Sequence, residues 1–152
     1  MTIRFVTRVV TYNSAKEKIL LVKNRDQSFW YPPGGGWEYE QENIVQCAER
    51  EVIEETGLAV KIKRLLYVQE FHESSDFISF ETVWLALPTG TTDLNELHVD
   101  QDVDGKVEKA QWFSHDEVQK ITVYPERLKK TFWENIENFL HDEDPFIPLK
   151  KP

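Results

Sequence analysis

The chain is poor in cysteine and has no long apolar run, and each absence excludes a class of protein. One cysteine, Cys47, stands among 152 residues. An internal disulfide is therefore excluded, and a reducing compartment fits, so we expect a cytoplasmic protein. No apolar run approaches the roughly 20 residues that a membrane span needs. The segment MTIRFVTRVVTY carries arginines and no small-residue cleavage site, so we expect no signal peptide.

Basic residues are also scarce, because 18 Lys and Arg face 27 Asp and Glu, which gives a net charge of −9. This balance argues against a basic surface that binds nucleic acid. It does not exclude a small phosphorylated ligand, because a bound metal ion inverts the local charge. The four histidines show no paired spacing that would indicate a zinc site. The run Gly34–Gly36 lacks the Lys-Ser or Lys-Thr of a P-loop.

The order of the predicted elements indicates one α/β domain. Runs rich in β-branched and aromatic residues predict strands at 3–11, 19–23, 29–31, 59–68, 77–87 and 107–113. Capping residues and apolar periodicity predict helices at 44–56, at 114–121 and from 125 to 140. Residues 88–106 are predicted as a long loop, with or without a hairpin. We expect a single domain over residues 1–141 and an extended C-terminal tail over residues 142–152.

The segment 44–56 has the local features of a well-defined helix. Asn43 suits the N-cap, and Gln46, three residues later, completes a capping box. Gly57 is placed to end the helix in the left-handed conformation. One face of the predicted helix is apolar and is expected to pack on the core; it carries Ile44, Val45, Ala48 and Val52.

Three carboxylates crowd the C-terminal half of this helix. Glu51, Glu54 and Glu55 fall within an arc of about 100° beside the apolar face. Like charges at this spacing repel one another, and the helix dipole disfavours them there. Arg50 is within i,i+4 reach of Glu54. A hard divalent cation would cancel the repulsion, whereas the plain alternative is a solvated acidic face.

The spacing of this segment resembles the signature box of the Nudix (MutT-like) hydrolases, G-x5-E-x7-R-E-U-x-E-E-x-G-U, where U is apolar. Every position is matched, by Gly36, Glu42, Arg50, Glu51, Val52, Glu54, Glu55, Gly57 and Leu58. At average residue usage a chance match is on the order of 10⁻⁹ per starting position. The resemblance implies an α/β fold, the Nudix α/β/α sandwich with a mixed sheet between helices. It also implies divalent-metal-dependent hydrolysis of a diphosphate linkage in a nucleotide or nucleoside-diphosphate derivative.

The resemblance also implies roles for individual residues. The implied metal ligands are Glu51, Glu54, Glu55 and the main-chain carbonyl of Gly35, and the implied cofactor is Mg²⁺, with Mn²⁺ as the second choice. Arg50 would orient the carboxylates. Gly35 and Gly36 would let the backbone approach metal and phosphate closely.

Several roles stay open between alternatives. The general base is either a carboxylate of the box or one outside it, where Glu108 is the first candidate and Glu81, Glu96, Asp102 and Asp104 are weaker ones. Glu108 is alternatively a solvated strand residue. Glu42 supports the loop or a metal-bound water, or else only supplies charge at the helix N-terminus. Four aromatic residues are candidates either for stacking a base or for the core: Phe29, Trp30, Tyr31 and Trp84.

The same scaffold has two other known kinds of function. A non-catalytic Nudix domain that binds or senses a nucleotide is the main alternative, although such domains usually lack some box carboxylates and this chain has them all. An isopentenyl diphosphate isomerase would need a catalytic cysteine, and Cys47 is predicted as a packing residue of the helix. The expected partner is a small-molecule nucleotide of undefined class. A homodimer is one candidate for the oligomeric state.

Overall fold

The computed structural model describes residues 1–89, 94–99 and 105–151. Its strands are β1 (Thr2–Asn13), β2 (Lys18–Asn24), β3 (Trp30–Tyr31), β4 (Gly34–Gly36), β5 (Val60–Ser74), β6 (Phe77–Pro88) and β7 (Val107–Ser114). Its α-helices are α1 (Ile44–Thr56), α2 (His115–Val118) and α3 (Thr131–His141). None of the helices in these ranges has the length and apolar character that a membrane crossing requires.

The strands form one mixed sheet around a long first strand. The main order is β3-β2-β1-β6-β5, with β4 added beside β1 and β7 beside β2. β1 runs parallel to β6 and antiparallel to β2 and β4. Helix α1 packs on one face through Ala48 and Val52, against Val9 and Trp84. The other face carries α3. This arrangement confirms the predicted α/β sandwich with a mixed sheet between helices.

Helix α1 begins and ends where the sequence predicts. The Asn43 side chain accepts a hydrogen bond from the backbone N–H of Gln46 (2.8 Å), and the Gln46 side chain accepts one from the N–H of Asn43 (2.9 Å). Gly57 follows the helix with φ of 76°, the left-handed conformation that favours glycine. The expected apolar face is confirmed, because Ala48 and Val52 are fully buried.

The prediction of one continuous helix from 125 to 140 was wrong. Residues Glu126–Lys129 form a 3-10 turn, and the chain leaves helical geometry at Lys130 (φ −137°, ψ −68°) before α3 begins. The indole N–H of Trp133 donates to the carbonyl of Leu128 at 2.7 Å. In a continuous helix that carbonyl would accept from the backbone N–H of Phe132. The side chain therefore competes with the helical ladder at this point.

Two other boundaries differ from expectation. The predicted helix over 114–121 is limited to α2, although its capping box between Ser114 and Glu117 is present. The strand predicted over 59–68 continues to Ser74, where it forms a hairpin with β6. Residues 142–151 contain neither helix nor strand, yet Phe146 packs edge-on against Trp84 at 5.0 Å between ring centroids. The division of the chain at residue 141 stays a prediction.

Candidate functional site

The C-terminal half of α1 faces the glycine strand β4. The backbone N–H of Gly34 donates to Glu55 Oε2 at 3.1 Å, and Glu55 is 8% exposed. The Glu51 carboxylate lies directly over Gly35, so near that a Cβ built on Gly35 would sit 2.5 Å from Glu51 Cδ. A Cβ on Gly36 would meet the Arg4 guanidinium at 2.9 Å. Glu51 and Arg4 can therefore lie this close to β4 only because its glycines have no side chains.

Arg50 bonds to three carboxylates, two on this helix and one just before it. Its Nη1 donates to Glu51 at 3.0 Å and to Glu54 at 3.1 Å, which confirms the predicted i,i+4 contact. Its Nε and Nη2 each donate to Glu42 at 2.8 Å. The hydrogen bonds from Arg50 lower the pKa of the Glu42 carboxyl below its ordinary value. Burial is the main influence on Glu51 and raises the pKa of its carboxyl.

Glu42 ties the preceding loop to the helix. Besides its two bonds with Arg50, its Oε1 accepts from the backbone N–H of Glu38 at 3.2 Å. The Glu42 carbonyl accepts from the indole N–H of Trp37 at 3.0 Å. Glu42 therefore supports the loop that leads from the glycine strand into α1.

Replacing Glu42 by glutamine is expected to destabilise the protein more at neutral pH than in acid. A hydrogen bond to a charged group contributes about 1.5–3 kcal/mol, so we expect the free energy of unfolding to fall by about 2 kcal/mol at pH 7. Because the folded pKa of Glu42 is lowered, its contribution is present above the unfolded pKa and is lost as pH falls through the folded value. Urea unfolding of wild type and Glu42→Gln at pH 7 and pH 3 measures this difference in the free energy of unfolding. An equal difference at both pH values would contradict the prediction.

A cavity of about 670 Å³ opens in front of Glu51 and Glu55. The lining also contains three cations, Arg4 and Arg8 of β1 and Lys106 just before β7, and two further carboxylates, Glu38 and Glu73. A lining that combines carboxylates with cations suits a ligand that carries both metal-binding oxygens and excess negative charge, as a diphosphate does. Glu54 is not among the lining residues; its side chain is 29% exposed and bonds to Arg50.

A second, smaller cavity of about 240 Å³ adjoins the first and shares with it Arg8, Asn24, Gln27, Tyr31 and Phe71. Its further lining residues are Phe29, Pro32, Gln69, Glu81, Val83, Tyr124 and Pro125. The aromatic and amide groups give this cavity the character of a site for a flat polar ring.

The aromatic candidates from the sequence divide between the cavity and the core. Phe29 and Tyr31 line the smaller cavity. Trp84 is fully buried, and Trp30 packs edge-on against Phe113 with ring centroids 4.8 Å apart. Trp30 and Trp84 are therefore core residues. Cys47 is fully buried as expected, and burial raises the pKa of its thiol to about 12, which disfavours the nucleophilic thiolate.

The candidate bases outside the helix are scattered. Glu108 lies on β7, where its carboxylate pairs with Lys23 Nζ at 3.1 Å, and this hydrogen bond lowers its pKa. It lines neither cavity. Glu96 is exposed and faces His98 at 3.6 Å. Asp102 and Asp104 lie outside the described residues. Glu81 is 6% exposed and borders the smaller cavity.

The donor atoms of the site are of the chemical type that a hard divalent cation prefers. Glu51, Glu55 and the carbonyl of Gly35 offer oxygen ligands, which Mg²⁺ and Mn²⁺ prefer. Within the described ranges, no three acidic, histidine or cysteine side chains converge closely enough to hold a metal ion. Arg50 holds Glu51 and Glu54 in ion pairs. Arg50 bonds to Glu51 through Oε1 only, so Glu51 can keep this ion pair and still offer Oε2 to a metal ion.

Sequence reasoning missed Arg4 and Arg8 as residues of the site. Their signal was a pair of arginines four residues apart in a predicted strand, which places both on one face of the sheet. Gln69 and Tyr124 carried no comparable local pattern.

Comparison with known proteins agrees with this geometry. The family model described as "NUDIX domain" matches residues 2–134. The mouse protein named 8-oxo-dGDP phosphatase NUDT18 is 33% identical over 111 residues, which cover 72% of this chain and 32% of the relative. The chain thus spans about a third of the length of that relative.

Solved structures show the same fold. A MutT NUDIX hydrolase from Burkholderia pseudomallei superposes with a TM-score of 0.67 at 22% identity, covering 85% of this chain and 96% of that one. The E. coli ORF135 protein also gives 0.67 at 22% identity, with 93% and 96% covered. With a family model matched over most of its length and a complete signature box on α1, the chain belongs to the NUDIX domain family.

Proposed function

We propose that this domain hydrolyses a diphosphate linkage in a nucleotide or nucleoside-diphosphate derivative, with Mg²⁺ or Mn²⁺ as cofactor. The observation that carries the proposal is the larger cavity, whose lining brings Glu51 and Glu55 together with Arg4, Arg8 and Lys106. The relatives named 8-oxo-dGDP phosphatase make a purine nucleoside diphosphate the first substrate to test.

The metal site would consist of Glu51, Glu54, Glu55 and the Gly35 carbonyl. Divalent ions bound there would neutralise phosphate charge and lower the pKa of bound water. Arg50 orients Glu51 and Glu54 through its Nη1. Arg4 and Arg8, which line the same cavity, would bind phosphate oxygens, and the guanidinium fork suits that contact. The hydrolysis divides the diphosphate into two phosphate products, one of which keeps the oxygen of water.

Two residues compete as general base in this proposal. Glu108 is the candidate outside the helix, and it would have to leave Lys23 to accept a proton. Glu51 is the candidate within the helix, and it already borders the cavity. A base must be within hydrogen-bond reach of the water that it activates, which favours Glu51.

The test is turnover of a nucleotide panel with Mg²⁺, with Mn²⁺ and with chelator. The panel should contain nucleoside di- and triphosphates with and without an 8-oxo purine, a nucleotide sugar and a dinucleotide. We expect metal-dependent cleavage of at least one purine nucleotide, with ¹⁸O from labelled water found in one phosphate product. Tight binding without product throughout the panel would instead support a domain that senses a nucleotide.

A further inference from the structure

Glu81 is a buried acid in a place where the fold has no evident need of one. It lies on β6, opposite Val6 of β1 and Gln69 of β5, and is 6% exposed. Burying a carboxylate costs free energy unless good partners compensate for the lost water. The residue two positions further along the same face is Val83, which also borders the smaller cavity. An apolar side chain at position 81 would therefore suit packing alone.

The partners of Glu81 leave part of its hydrogen-bonding capacity unused. Gln69 Nε2 donates to Oε2 at 2.6 Å, and Arg8 Nε reaches Oε1 only at 3.4 Å. A carboxylate offers about four acceptor positions. Because Glu81 borders the smaller cavity, a ligand in that cavity can supply the missing donors. Gln69 and Arg8 fix the carboxylate in position for such a contact.

The walls of this cavity suit an aromatic ring. Phe29 stands edge-on to Tyr124 at 5.1 Å and tilted to Tyr31 at 6.1 Å between ring centroids. The amide side chains of Asn24 and Gln27 stand where the cavity joins the larger one. Arg8 borders both cavities. A nucleotide could therefore place its base beside Glu81 while its phosphates remain in front of Glu51.

We propose that Glu81 determines base specificity by accepting hydrogen bonds from two adjacent N–H groups of the ring. Guanine and 8-oxoguanine present such a pair at N1–H and the 2-amino group. Adenine presents an acceptor at N1, which would face the carboxylate without a proton. The inference rests on the proposed function, since it names amino-oxo purines as the base class of that site. Such a site rejects a ring that lacks the matching groups, because buried polar atoms are then left unpaired.

Binding of phosphate-free nucleosides to the wild-type protein, measured by calorimetry and ligand-observed NMR with chelator present, tests this directly. We expect affinity to fall in the order guanosine, inosine, adenosine, with about tenfold between the first and the last. Inosine is informative because it keeps N1–H and lacks the 2-amino group. Equal affinities for guanosine and adenosine, or no binding of either, would overturn the proposal.

The Glu81→Gln variant gives the second arm, because glutamine keeps the size and adds a donor. We expect it to reduce the guanosine-to-adenosine ratio about tenfold, to near unity. Glu70→Gln is the matched control, since Glu70 lies on β5, is exposed and borders neither cavity. A folded Glu81→Gln protein that kept the wild-type ratio would refute the role of Glu81.

The two proposals can fail separately in this design. Nucleosides carry no phosphate, so their binding does not depend on the carboxylates of α1. Guanosine preference without turnover of any nucleotide would remove the hydrolysis and leave the base site. Turnover with no preference among nucleosides would remove the base site and leave the hydrolysis.

Discussion

The Glu54→Gln variant should turn over nucleotide about a thousandfold more slowly than wild type, as expected when a preorganised charge is removed from a catalytic site. Glutamine keeps the shape of the side chain but removes the negative charge, so it weakens the hold on a divalent cation. Arg50 keeps its bonds to Glu42 and Glu51. Because Glu54 is 29% exposed and its ion pair is of the partly solvated kind, the fold should be little affected.

Stability and catalysis must be measured together to interpret this result. We expect the melting temperature of Glu54→Gln to stay within about 3 °C of wild type, the shift that about 1 kcal/mol causes in a domain of this size. Glu49→Gln is the matched control, because it makes the same change on the same helix at a residue that borders neither cavity. A Glu54→Gln enzyme with full metal-dependent activity would remove Glu54 from the mechanism.

Helix α1 could be predicted from the sequence because everything that defines it is local. The Asn43–Gln46 capping box, the left-handed Gly57 and the buried Ala48 and Val52 all lie within fifteen residues. The contact of Arg50 with Glu54 is equally local. The same holds for the box resemblance, which depends on spacing along one helix.

The smaller cavity could not be predicted, because it depends on register between distant strands. Glu81 meets Gln69 through the β5–β6 hairpin and Arg8 through the parallel pairing of β1 with β6. These contacts join residues 12 and 73 positions apart. Parallel pairing leaves no turn motif in the sequence to fix its register. The break before α3 escaped prediction for a similar reason, since a tryptophan side chain replaces a backbone donor there.

Alanine substitutions at two neighbouring glycines of β4 should separate catalysis from folding. Gly34 and Gly35 both lack a positive φ, so the effect of an added Cβ is purely one of space. At Gly35 the Cβ would come within 2.5–2.6 Å of the carboxyl atoms of Glu51, the end of a side chain that can rotate away. We therefore expect Gly35→Ala to fold normally and to lose activity about a hundredfold, as expected when a catalytic group is displaced by an ångström.

Gly34→Ala should instead lose stability. Its Cβ would lie 1.9 Å from the carbonyl oxygen of Thr7 and 2.9 Å from Cα of Arg8, both backbone atoms of the paired strand β1. Backbone held in a ladder cannot turn aside as a side chain does, so the clash must shift β4 or break its pairing. Overpacking of this severity costs about 3 kcal/mol, or about 10 °C in melting temperature for a domain of this size.

Measurements of melting temperature and kcat/KM for Gly34→Ala and Gly35→Ala test both predictions. A fully active Gly35→Ala protein would show that Glu51 does not need its place over the glycine strand, and the metal ligand set would lose its first member. A Gly34→Ala protein as stable as wild type would mean that β4 does not approach β1 as described. The opposite outcomes expected for adjacent residues follow from one difference. Gly35 makes room for a movable carboxylate, and Gly34 makes room for a strand.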